Sequence, residues 1–416
     1  MELRDGYKKS EMGPIPNDWD VMLLNDLATK IGSGITPKGG SSVYKEDGRP
    51  LVRSQNIGWG KLLLDDIAFI DDETHLTFPN TEINLHDVFL NISGASIGRS
   101  SYANEQLVGG NVNQHVCIIR VINKKLNSVY LNLFLLSKYG QKQIDSFQSG
   151  GNRQGLNIGQ IKTFKIPVPN YEEQTAIATA LSDTDALISG LENLIAKKRS
   201  IKQGAMQKLL QPKDNWEHKT LGEIGEITGA GVDKLLSEDE VPVRLVNYMD
   251  VFRRDFIYSN ELDHWVTAPQ SKIQKCAVKQ GDIFFTPSSE MRFDIAISAI
   301  AMEDIPDAAY SYHLVRLRLF ADWDLHFRTY IFKTKYFLAQ AEQICEGSGK
   351  RYVITLPKFR SLKIYFPPTK KEQNEIATIL YNMDKEINAL ESKLEKYRNV
   401  KIGMMQSLLT GKIRLV

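Results

Sequence analysis

The sequence predicts an α+β protein built from two similar halves. Each half is a mixed α/β globular region followed by a long helix, and the two long helices are expected to form an antiparallel coiled coil. Three observations support this fold class. One eleven-residue segment occurs twice, a heptad pattern surrounds both copies, and short apolar runs bounded by Gly, Asn and Ser fill much of the remaining chain. A fixed internal period is typical of a duplicated architecture.

The duplicated segment is SIKQGAMQKLL at 200–210 and NVKIGMMQSLL at 399–409. Around it, 173–213 aligns with 372–412 without a gap, and 19 of 41 positions are identical. Shorter matches join 17–34 to 214–231, 85–91 to 280–286, 114–120 to 312–318, 149–153 to 347–351 and 164–169 to 362–367. The predicted domains are a globular region at 1–170, a long helix at 171–213, a second globular region at 214–370 and a final helix at 371–416.

Both long segments carry apolar residues at alternating steps of four and three, which is the pattern of helices packed side by side. The predicted contact residues are Ile177, Leu181, Ile188, Leu191 and Ile195 in the first copy, and Ile376, Leu380, Ile387, Leu390 and Leu394 in the second. Thr184 and Lys198 weaken the first pattern. Two matched helices in one chain favour pairing with each other over packing of each helix onto its own globular region.

A second apolar stripe on the first helix indicates a further binding partner. Its residues are Leu187, Leu194, Ile201, Ala205 and Leu209, and Leu408 is the equivalent of Leu209 in the second helix. Glycine inside a helix costs about 1 kcal/mol relative to alanine. Gly204 and Gly403 nevertheless occupy equivalent mid-helix positions. Their repetition suggests that another helix approaches closely there, or that the helix bends.

Composition favours a soluble globular protein, because 42% of the 416 residues are hydrophobic and 25% are charged. The sequence has no run of about 18 apolar residues and no hydrophobic signal core at its N-terminus. Cys117, Cys276 and Cys345 lie far apart without CxxC spacing, which predicts a cytoplasmic protein without a zinc framework. The net charge of +2 gives no basic surplus, so nucleic-acid binding must be argued from particular loops.

Recognisable catalytic motifs are absent from the sequence. An adenine methyltransferase needs an Asn/Asp-Pro-Pro-Tyr/Phe type loop and a glycine-rich cofactor turn, and neither occurs. GSGKR at 347–351 is not a phosphate-binding loop, because Ile344 and Arg351 stand where Gly and Ser or Thr are required. The seven histidines have no HxH or HExxH spacing. We therefore expect no catalytic residue, no metal site and no cofactor in this chain.

Polar loops carrying Arg, Asn, Gln and Ser in both halves are the candidate binding sites. Arg reads guanine and Asn or Gln reads adenine in the major groove, while Gly and Ser amides approach phosphates. The candidates in the first half are Arg53, Gln55, Asn56, Ser93, Ser96, Arg99, Asn113, Arg153 and Gln154. Those in the second half are Arg253, Arg254, Ser288, Ser289, Arg292, Lys350 and Arg351. One such loop is most simply an ordinary turn, but their presence in both halves favours recognition of double-stranded DNA.

These segments resemble a known family, the specificity subunits of type I restriction–modification systems. The EEQ and KEQ starts at 172–174 and 371–373, the LE…K-R core and the KxG-MQ-LL end of the long segments resemble the helices of that family. HDVFLNISGASIGR, NVNQHV and QGDIFFTPSSE are similar to strings in its recognition domains. His86 and Pro287 stand where the family more often has glycine. The resemblance extends over essentially the whole chain.

The resemblance implies a non-catalytic subunit with two target recognition domains, each reading one half of a bipartite DNA target. It also implies that the paired helices act as a spacer and that two methyltransferase subunits dock on the chain. S-adenosylmethionine would be held by the methyltransferase partner, and ATP and Mg²⁺ by a restriction subunit that joins the complex. A surface that receives two identical partners should itself occur twice, which would explain the repeated eleven residues.

Two other interpretations stay open on the sequence. A stand-alone, two-module DNA-binding regulator would account for the polar loops but would not need the extra helix faces. A scaffold that bridges two identical proteins without contacting DNA would account for the helices and leave the polar loops unexplained.

Overall fold

The computed structural model describes residues 5–148, 155–349 and 351–415. The chain packs as two compact units: unit 1 comprises 1–192 with 393–416, and unit 2 comprises 193–392. Each unit therefore combines one globular region with the start of one long helix and the end of the other. Within the described residues, no helix is long and apolar enough to cross a bilayer.

Unit 1 consists of short strands and helices. Its strands are β1 (Tyr7–Ser10), β2 (Gly13–Pro16), β3 (Asp20–Leu23), β4 (Ala28–Ser33), β5 (Arg49–Val52), β6 (Ala68–Ile70), β7 (Val88–Asn91), β8 (Ser100–Tyr102), β9 (Asn111–Val112), β10 (Val116–Val121) and β11 (Lys165–Val168). Its short helices are α1 (Leu24–Leu27), α2 (Asp72–Leu76), α3 (Ser128–Leu136), α4 (Lys138–Ser146) and α5 (Ile158–Lys162). The strands form sheets in the orders β4-β10-β7-β8, β6-β5-β9, β1-β2 and β11-β3.

The long helix α6 (Tyr171–Leu209) contributes its first part to unit 1 and its last part to unit 2. The strands of unit 2 are β12 (Glu217–Thr220), β13 (Gly225–Thr228), β14 (Val241–Val246), β15 (Phe256–Ile257), β16 (Trp265–Ala268), β17 (Ala277–Val278), β18 (Ile283–Phe285), β19 (Ser288–Ser289), β20 (Ser298–Ala301), β21 (Ile305–Tyr310), β22 (Val315–Leu319), β23 (Glu346–Ser348), β24 (Arg351–Val353) and β25 (Lys363–Phe366). Its short helices are α7 (Leu221–Ile224), α8 (Tyr248–Phe252), α9 (Gln270–Lys275), α10 (Phe327–Ile331), α11 (Lys335–Ile344) and α12 (Leu356–Ser361), and the second long helix is α13 (Lys370–Leu408). The sheet orders are β13-β22-β18-β20-β15, β16-β14-β21-β17, β19-β24-β23 and β12-β25.

The central strands of both units are buried on both faces. In unit 1, Val88 and Leu90 of β7 face the core that contains α3, while Phe89 faces a second core on the other side. Phe284 and Phe285 of β18 likewise face different cores in unit 2. A strand covered on both faces needs consecutive apolar residues. That requirement explains the uninterrupted apolar runs in both matched segments.

A buried ion pair lies beside these strands in each unit. In unit 1 the Arg120 guanidinium donates to both Asp87 carboxylate oxygens, at 2.8 and 2.7 Å. In unit 2 Arg318 donates to Asp282 at 2.7 and 2.6 Å. Both carboxylates are buried, and a bidentate pair satisfies them with fixed geometry. These pairs join the start of β7 to β10 and the start of β18 to β22.

His86 adopts a backbone conformation that usually belongs to glycine. Its φ is 66°, and Gly281 at the matching position of unit 2 has φ 82°. A Cβ at Gly281 would lie 2.0 Å from Nη1 of Arg328, whereas the His86 side chain is exposed. Histidine enters the left-handed region more readily than most residues, so the same turn forms in unit 1 without glycine.

A pair of helices, rather than one continuous helix, follows the last strand of the main sheet in each unit. Ser137 separates α3 from α4 and accepts a hydrogen bond at its hydroxyl from the Gly140 amide, at 3.3 Å. Thr334 has the same position before α11 and accepts from the Phe337 amide at 3.3 Å. Ser and Thr favour helix N-termini because their hydroxyls satisfy a free backbone amide. The break thus comes from a capping residue inside an apolar run.

The predicted antiparallel pairing of the long helices is confirmed in each unit. In unit 1 the start of α6 shares a core with the end of α13, and in unit 2 the end of α6 shares a core with the start of α13. The buried residues of the predicted contact pattern are Ile177, Leu181, Leu191, Ile195, Ile376, Leu380, Ile387 and Leu394, and Ile188 and Leu390 are half-buried. Of the second stripe, Leu209 is half-buried and Leu408, its equivalent in α13, is buried. The heptad pattern therefore selects the inward face of both helices.

Ion pairs between the helices flank this apolar face. They are Glu192–Arg398 at 2.6 Å and Asp185–Lys401 at 2.5 Å in unit 1, and Lys198–Glu386 and Arg199–Glu391, both at 2.6 Å, in unit 2. Lys198 thus makes an interhelical ion pair although it interrupts the apolar pattern. Thr184, the other interruption, donates from its hydroxyl to the Ala180 carbonyl at 2.9 Å. Exposed ion pairs add little stability, and their main effect is to favour one register.

A buried glutamate attaches the globular part of unit 1 to both long helices. Glu173, in the first turn of α6, accepts a hydrogen bond from Nε1 of Trp19 at 3.0 Å. It also accepts from Nε of Arg414, just after α13, at 2.6 Å. Hydrogen bonds to Glu173 and Asp18 raise the pKa of Arg414 above its ordinary value. One carboxylate therefore joins the start of α6, the end of α13 and the globular region.

Unit 2 contains the same arrangement around Glu372. This residue accepts from Nε1 of Trp216 at 3.1 Å and from Nζ of Lys213 at 2.7 Å. The hydrogen bond from Lys213, which follows α6, lowers the pKa of Glu372 and keeps the carboxylate charged near neutral pH. The repeated glutamate of the matched segments thus has the same structural role in both units.

The glutamine that follows each glutamate fixes the strand and helix beside it. The Gln174 side chain accepts from the Asn127 amide at 2.8 Å and donates to the Pro169 carbonyl at 2.9 Å. Gln373 accepts from the Asp324 amide at 2.9 Å and donates to the Pro367 carbonyl at 3.0 Å. Both glutamines are buried. The repeated Glu-Gln pair is therefore a structural connection rather than a binding motif.

Replacing Glu173 with alanine should lower the free energy of unfolding of unit 1 by about 3 kcal/mol, because it leaves the buried indole N–H of Trp19 and Nε of Arg414 without their acceptor. Unfolding in guanidinium chloride, followed by Trp fluorescence, measures the change. Glu172→Ala is the matched control, since Glu172 is exposed, and it should stay within about 0.5 kcal/mol of the parent. Equal effects of the two variants would contradict the role given to Glu173.

Candidate nucleic-acid interface

Three polar loops of unit 1 meet at one edge of its central sheet. Asn91, at the end of β7, donates from its side chain to the Ser54 carbonyl at 2.8 Å. The Asn113 amide donates to the Val52 carbonyl at 2.9 Å, which joins the loop before β10 to the end of β5. The loops that follow β5 and β7 and precede β10 therefore share one surface.

Unit 2 holds its corresponding loops with equivalent hydrogen bonds. The Ser311 amide donates to the Val246 carbonyl at 3.0 Å, at the position equivalent to the Asn113 bond. The Ile354 amide donates to the Pro287 carbonyl at 2.8 Å, which joins the loop after β18 to the end of β24. The backbone frame is thus the same in both units, although the loop side chains differ.

The first loop of unit 1 is organised around Asp66. Arg53 pairs with the Asp66 carboxylate at 3.2 Å, and the Gln55 side chain donates to the same carboxylate. Asn56 is only 1% exposed; its amide accepts from the Arg53 N–H at 2.9 Å and donates to the Leu63 and Asp66 carbonyls at 3.0 and 3.1 Å. Asn56 therefore holds the loop together in this conformation, which corrects the expectation that its side chain contacts DNA. Gln55 remains exposed.

The second loop of unit 1 presents a free arginine. Ser93 shares a hydrogen bond with Nδ1 of His115, and the Asn113 side chain accepts from the His115 amide at 3.1 Å. Ser96 is half-buried at the end of a 3-10 turn. Arg99 is also half-buried, and its guanidinium makes no hydrogen bond or ion pair with the described residues. Arg99 is therefore the available cation of this loop, whereas Ser93 and Asn113 are partly engaged.

Three predicted contact residues lie outside the described residues: Arg153, Gln154 and Lys350. Their described neighbours lie beside the loops already mentioned. Gly155 forms a β-bridge with Ser93 in unit 1, and β24 begins directly after position 350 in unit 2. Gly155 and Arg351 therefore lie at the candidate surface of their own unit.

The two arginines after α8 differ in availability. Arg254 donates to the Glu261 carbonyl at 3.1 Å and pairs with the Asp250 carboxylate at 3.4 Å. Arg253 is exposed and has no such contact within the described part of the chain. Arg253 is thus free to bind a ligand, while Arg254 stabilises its own turn.

The sheet β19-β24-β23 brings the remaining candidates of unit 2 together. Ser288 and Ser289 form β19, and Arg351 begins β24, in which Tyr352 lies opposite Ser289. The Arg292 guanidinium lies over the Tyr352 ring, 5.5 Å from its centroid. Stacking of a guanidinium on an aromatic ring restricts its orientation. Arg292 and Arg351 therefore belong to one surface with the two serines.

A pocket of about 510 Å³ opens beside this sheet. It is lined by Tyr248, Met249, Phe252, Ser288, Ser289, Glu290, Met291, Asp294 and Arg351. The Tyr248 hydroxyl donates to the Ser288 carbonyl at 2.9 Å, and burial raises its pKa, so it stays protonated near neutral pH. The pocket thus offers hydrogen-bond donors, carboxylate acceptors and apolar side chains.

Positive charge on this face comes from arginine rather than histidine. Burial, together with the charges of Lys234 and Arg351, lowers the pKa of His313, so its ring is neutral near neutral pH. Over 5–148, 155–349 and 351–415 there is no group of His, Cys, Asp and Glu able to hold a metal ion.

Large apolar side chains at these surfaces were missed in the sequence analysis. Trp59 is 55% exposed on a turn whose next residue, Gly60, donates to the Ser100 carbonyl at 3.0 Å. Met291 and Phe293 are 54% and 64% exposed on either side of Arg292. A large apolar residue inside a polar loop was the available signal. By itself this signal is weak, because isolated exposed apolar residues are common.

A family model for the type I restriction modification DNA specificity domain matches the chain twice, at residues 16–203 and 213–396. The chain belongs to this family. The resemblance found in the sequence is thereby confirmed, and the two matches correspond to the two predicted halves.

Curated relatives carry the same family name. The putative type I restriction enzyme MjaX specificity subunit of Methanocaldococcus jannaschii is 28% identical, over 99% of this chain and 97% of the relative. The MjaVIII specificity subunit of the same organism is 26% identical, over 99% of this chain and 96% of the relative.

Solved structures show the same fold. The S subunit of a type I restriction-modification system from M. genitalium superposes with a TM-score of 0.57 at 15% identity, covering 98% of each chain. A chain from a structure of a type I R-M system concerned with complex assembly and conformational transition also has a TM-score of 0.57 at 15% identity, covering 96% of this chain and 99% of the other. The predicted fold class is confirmed.

Replacing Asn56 with alanine should lower the free energy of unfolding of unit 1 by about 2 kcal/mol, because one amide and two carbonyls lose their partner. The neighbouring Gln55→Ala should change it by less than about 0.5 kcal/mol, since Gln55 is exposed. Chemical denaturation of both variants provides the comparison. An Asn56→Ala variant as stable as the parent would contradict the structural role given to Asn56.

Proposed function

We propose that this chain is the DNA sequence-recognition subunit of a type I restriction–modification complex, and that each unit reads one half of a bipartite target. The observation that supports this most strongly is the repeated frame, in which equivalent hydrogen bonds hold loops with different side chains. A constant frame with variable side chains suits a protein that reads two different sequences. On this proposal the target recognition domains are 1–170 and 214–370, and the helical segments are 171–213 and 371–416.

Base contacts are assigned to side chains that are exposed or half-buried at the two surfaces. Arg99 and Gln55 would read the first half-site, and Arg253, Arg292 and Arg351 the second. Arginine pairs with guanine through two parallel hydrogen bonds, and glutamine pairs with adenine in the same way. The small net charge of +2 is compatible with this assignment if partner subunits supply much of the phosphate contact.

Two methyltransferase subunits are proposed to dock on the long helices, which would act as the spacer between the half-sites. Leu187, Leu194 and Ile201 on α6 are 40%, 38% and 47% exposed and recur every seven residues, so they form a stripe outside the helix pairing. A Cβ added at Gly204 or Gly403 would touch nothing among the described residues. Close approach of one partner subunit to each glycine would explain why both copies carry glycine at this helical position.

The chain is proposed to be non-catalytic and cytoplasmic. S-adenosylmethionine would be bound by the methyltransferase subunits, and ATP and Mg²⁺ by a restriction subunit that joins through the complex. The wide separation of the three cysteines and their burial as free thiols agree with a reducing compartment.

The experiment that tests this function is a base-resolved methylome of a host that expresses this chain with its methyltransferase partner. A split motif carrying N6-methyladenine on both strands is the expected result. If the two proteins co-purify and no methylation appears, the result would favour the scaffold interpretation over the DNA-reading proposal.

Arg99→Ala should weaken binding to the first half-site by about 10- to 100-fold, the equivalent of about 1–3 kcal/mol for a bidentate base contact. It should leave the base preference of the second half-site unchanged, and Arg292→Ala should have the reverse effect. Competition binding with DNA substituted at each position measures both preferences, and each variant is the control for the other. Equal losses at both half-sites would contradict the assignment of one half-site to each unit.

Leu187→Asp should reduce co-purification of the methyltransferase subunit at least about tenfold, because a carboxylate would be buried in an apolar interface. The free chain should keep its stability within about 0.5 kcal/mol, since the side chain is exposed. Ser189→Asp adds the same charge to another exposed face of α6 and should leave docking intact. Leu408, which was expected on the docking face, lies in the core of unit 1 and is unsuitable for this test.

A further inference from the structure

The loop after β18 ends in an alternation of polar and apolar side chains. It reads Ser288, Ser289, Glu290, Met291, Arg292, Phe293 and Asp294. Met291 and Phe293 are 54% and 64% exposed, although both are large and apolar. Met291 also lines the pocket beside β19, together with the serines and Arg351. The exposed apolar side chains thus belong to the surface already assigned to the second half-site.

Hydrogen bonds join the two ends of this loop. The Thr286 amide donates to the Ile297 carbonyl at 2.9 Å, and the Ala296 amide donates to the Thr286 carbonyl at 2.9 Å. The Ile297 amide donates to the Thr286 hydroxyl at 3.1 Å, and Thr286 is fully buried. A loop closed at its neck can present exposed side chains in fixed positions, which reduces the entropy lost on binding.

Unit 1 has the same loop with a different tip. There the Asn91 amide donates to the Arg99 carbonyl at 2.9 Å, and the Gly98 amide donates to the Asn91 carbonyl at 3.0 Å. Between these bonds the chain carries Ser93, Gly94, Ala95 and Ser96 before a half-buried isoleucine. Within the described residues, the unit 2 loop therefore carries large exposed apolar side chains at its tip and the unit 1 loop does not.

The charges around Met291 and Phe293 indicate contact with base edges. Glu290 and Asp294 belong to the same tip, and carboxylates are repelled by phosphates but accept from the amino group of cytosine. Arg292, between the two apolar residues, has the geometry to read guanine. The pair lies on the surface assigned to the second half-site, where Met291 lines one pocket with Ser288, Ser289 and Arg351, and a major groove presents donors, acceptors and methyl groups together. The thymine C5-methyl is the apolar group on that edge.

We infer that Met291 and Phe293 contact thymine methyl groups in the second half-site, on either side of the base pair read by Arg292. This inference rests on the proposed function and adds the class of base. The second half-site should therefore contain at least one thymine, on either strand, next to a G·C pair. The first half-site has no such requirement from its own loop.

The test uses the full chain with its methyltransferase partner and duplexes in which uracil replaces thymine one position at a time. Uracil lacks only the C5-methyl. Loss of one buried methyl should weaken binding about fourfold at a thymine of the second half-site. In Phe293→Ala or Met291→Ala the same replacement should have no further effect, because the contact is already lost. Uracil in the first half-site and the Ala95→Gly variant are the controls.

Each outcome decides the inference. A second half-site without thymine, or uracil sensitivity that persists in both alanine variants, would overturn it. So would a Phe293→Ala variant that fails to assemble with the partner, which would make the tip a protein contact. Insertion of these side chains between base pairs would also overturn the inference. It would be seen in the parent complex as a rise in 2-aminopurine fluorescence that does not depend on the thymine methyl. A parent complex that binds all DNA sequences equally would instead refute the proposed function.

Discussion

The structure depends on two carboxylates, the buried Glu173 and its half-buried counterpart Glu372. Each accepts hydrogen bonds from the indole of a tryptophan at the start of a globular region and from a cation just beyond the end of the opposite long helix. A buried carboxylate is costly unless it is fully paired, so these contacts must form together. Each unit is thereby fixed as one body in which loops, sheet and both helix ends keep a constant geometry.

A fixed frame matters because base reading tolerates little displacement. Bidentate contacts require a guanidinium to meet two atoms on a base edge at once. The Arg120–Asp87 and Arg318–Asp282 pairs hold the central strands, and the loops extend from the ends of those strands. The repeated residues are therefore mostly structural, and most of the candidate reading residues differ between the units.

The two units reach the same frame with different local chemistry. In unit 2 the Tyr330 hydroxyl donates to the Asp384 carboxylate of α13 at 2.8 Å, and Lys202 of α6 pairs with the same carboxylate. Burial and the Asp384 charge raise the pKa of Tyr330. Unit 1 keeps the equivalent Asp185–Lys401 pair but has buried Leu133 in α3 at the position of Tyr330. Helix pairing thus tolerates a polar or an apolar contact with the globular region.

The sequence was sufficient to predict the duplication, the inward face of the long helices and the positions of the polar loops, because these depend on local pattern. It was not sufficient to explain the Glu-Gln pair, whose tryptophan partner lies 154 residues away from Glu173 along the chain. Asn56 was misassigned for a similar reason: only the closure of the following loop over it shows that its amide faces inward. The break at Ser137 was hidden because the surrounding residues are apolar enough for one continuous helix.

The most direct test of the account is to replace 217–366 with a second copy of 20–168. In this chimera β3 takes the place of β12 at the first junction, and β11 takes the place of β25 at the second. Trp216, Glu372 and both long helices stay unchanged. A methylome of cells that express this chain with the methyltransferase partner should show a target made of the first half-site twice. Continued methylation of the original second half-site would show that the globular region of unit 2 does not read it.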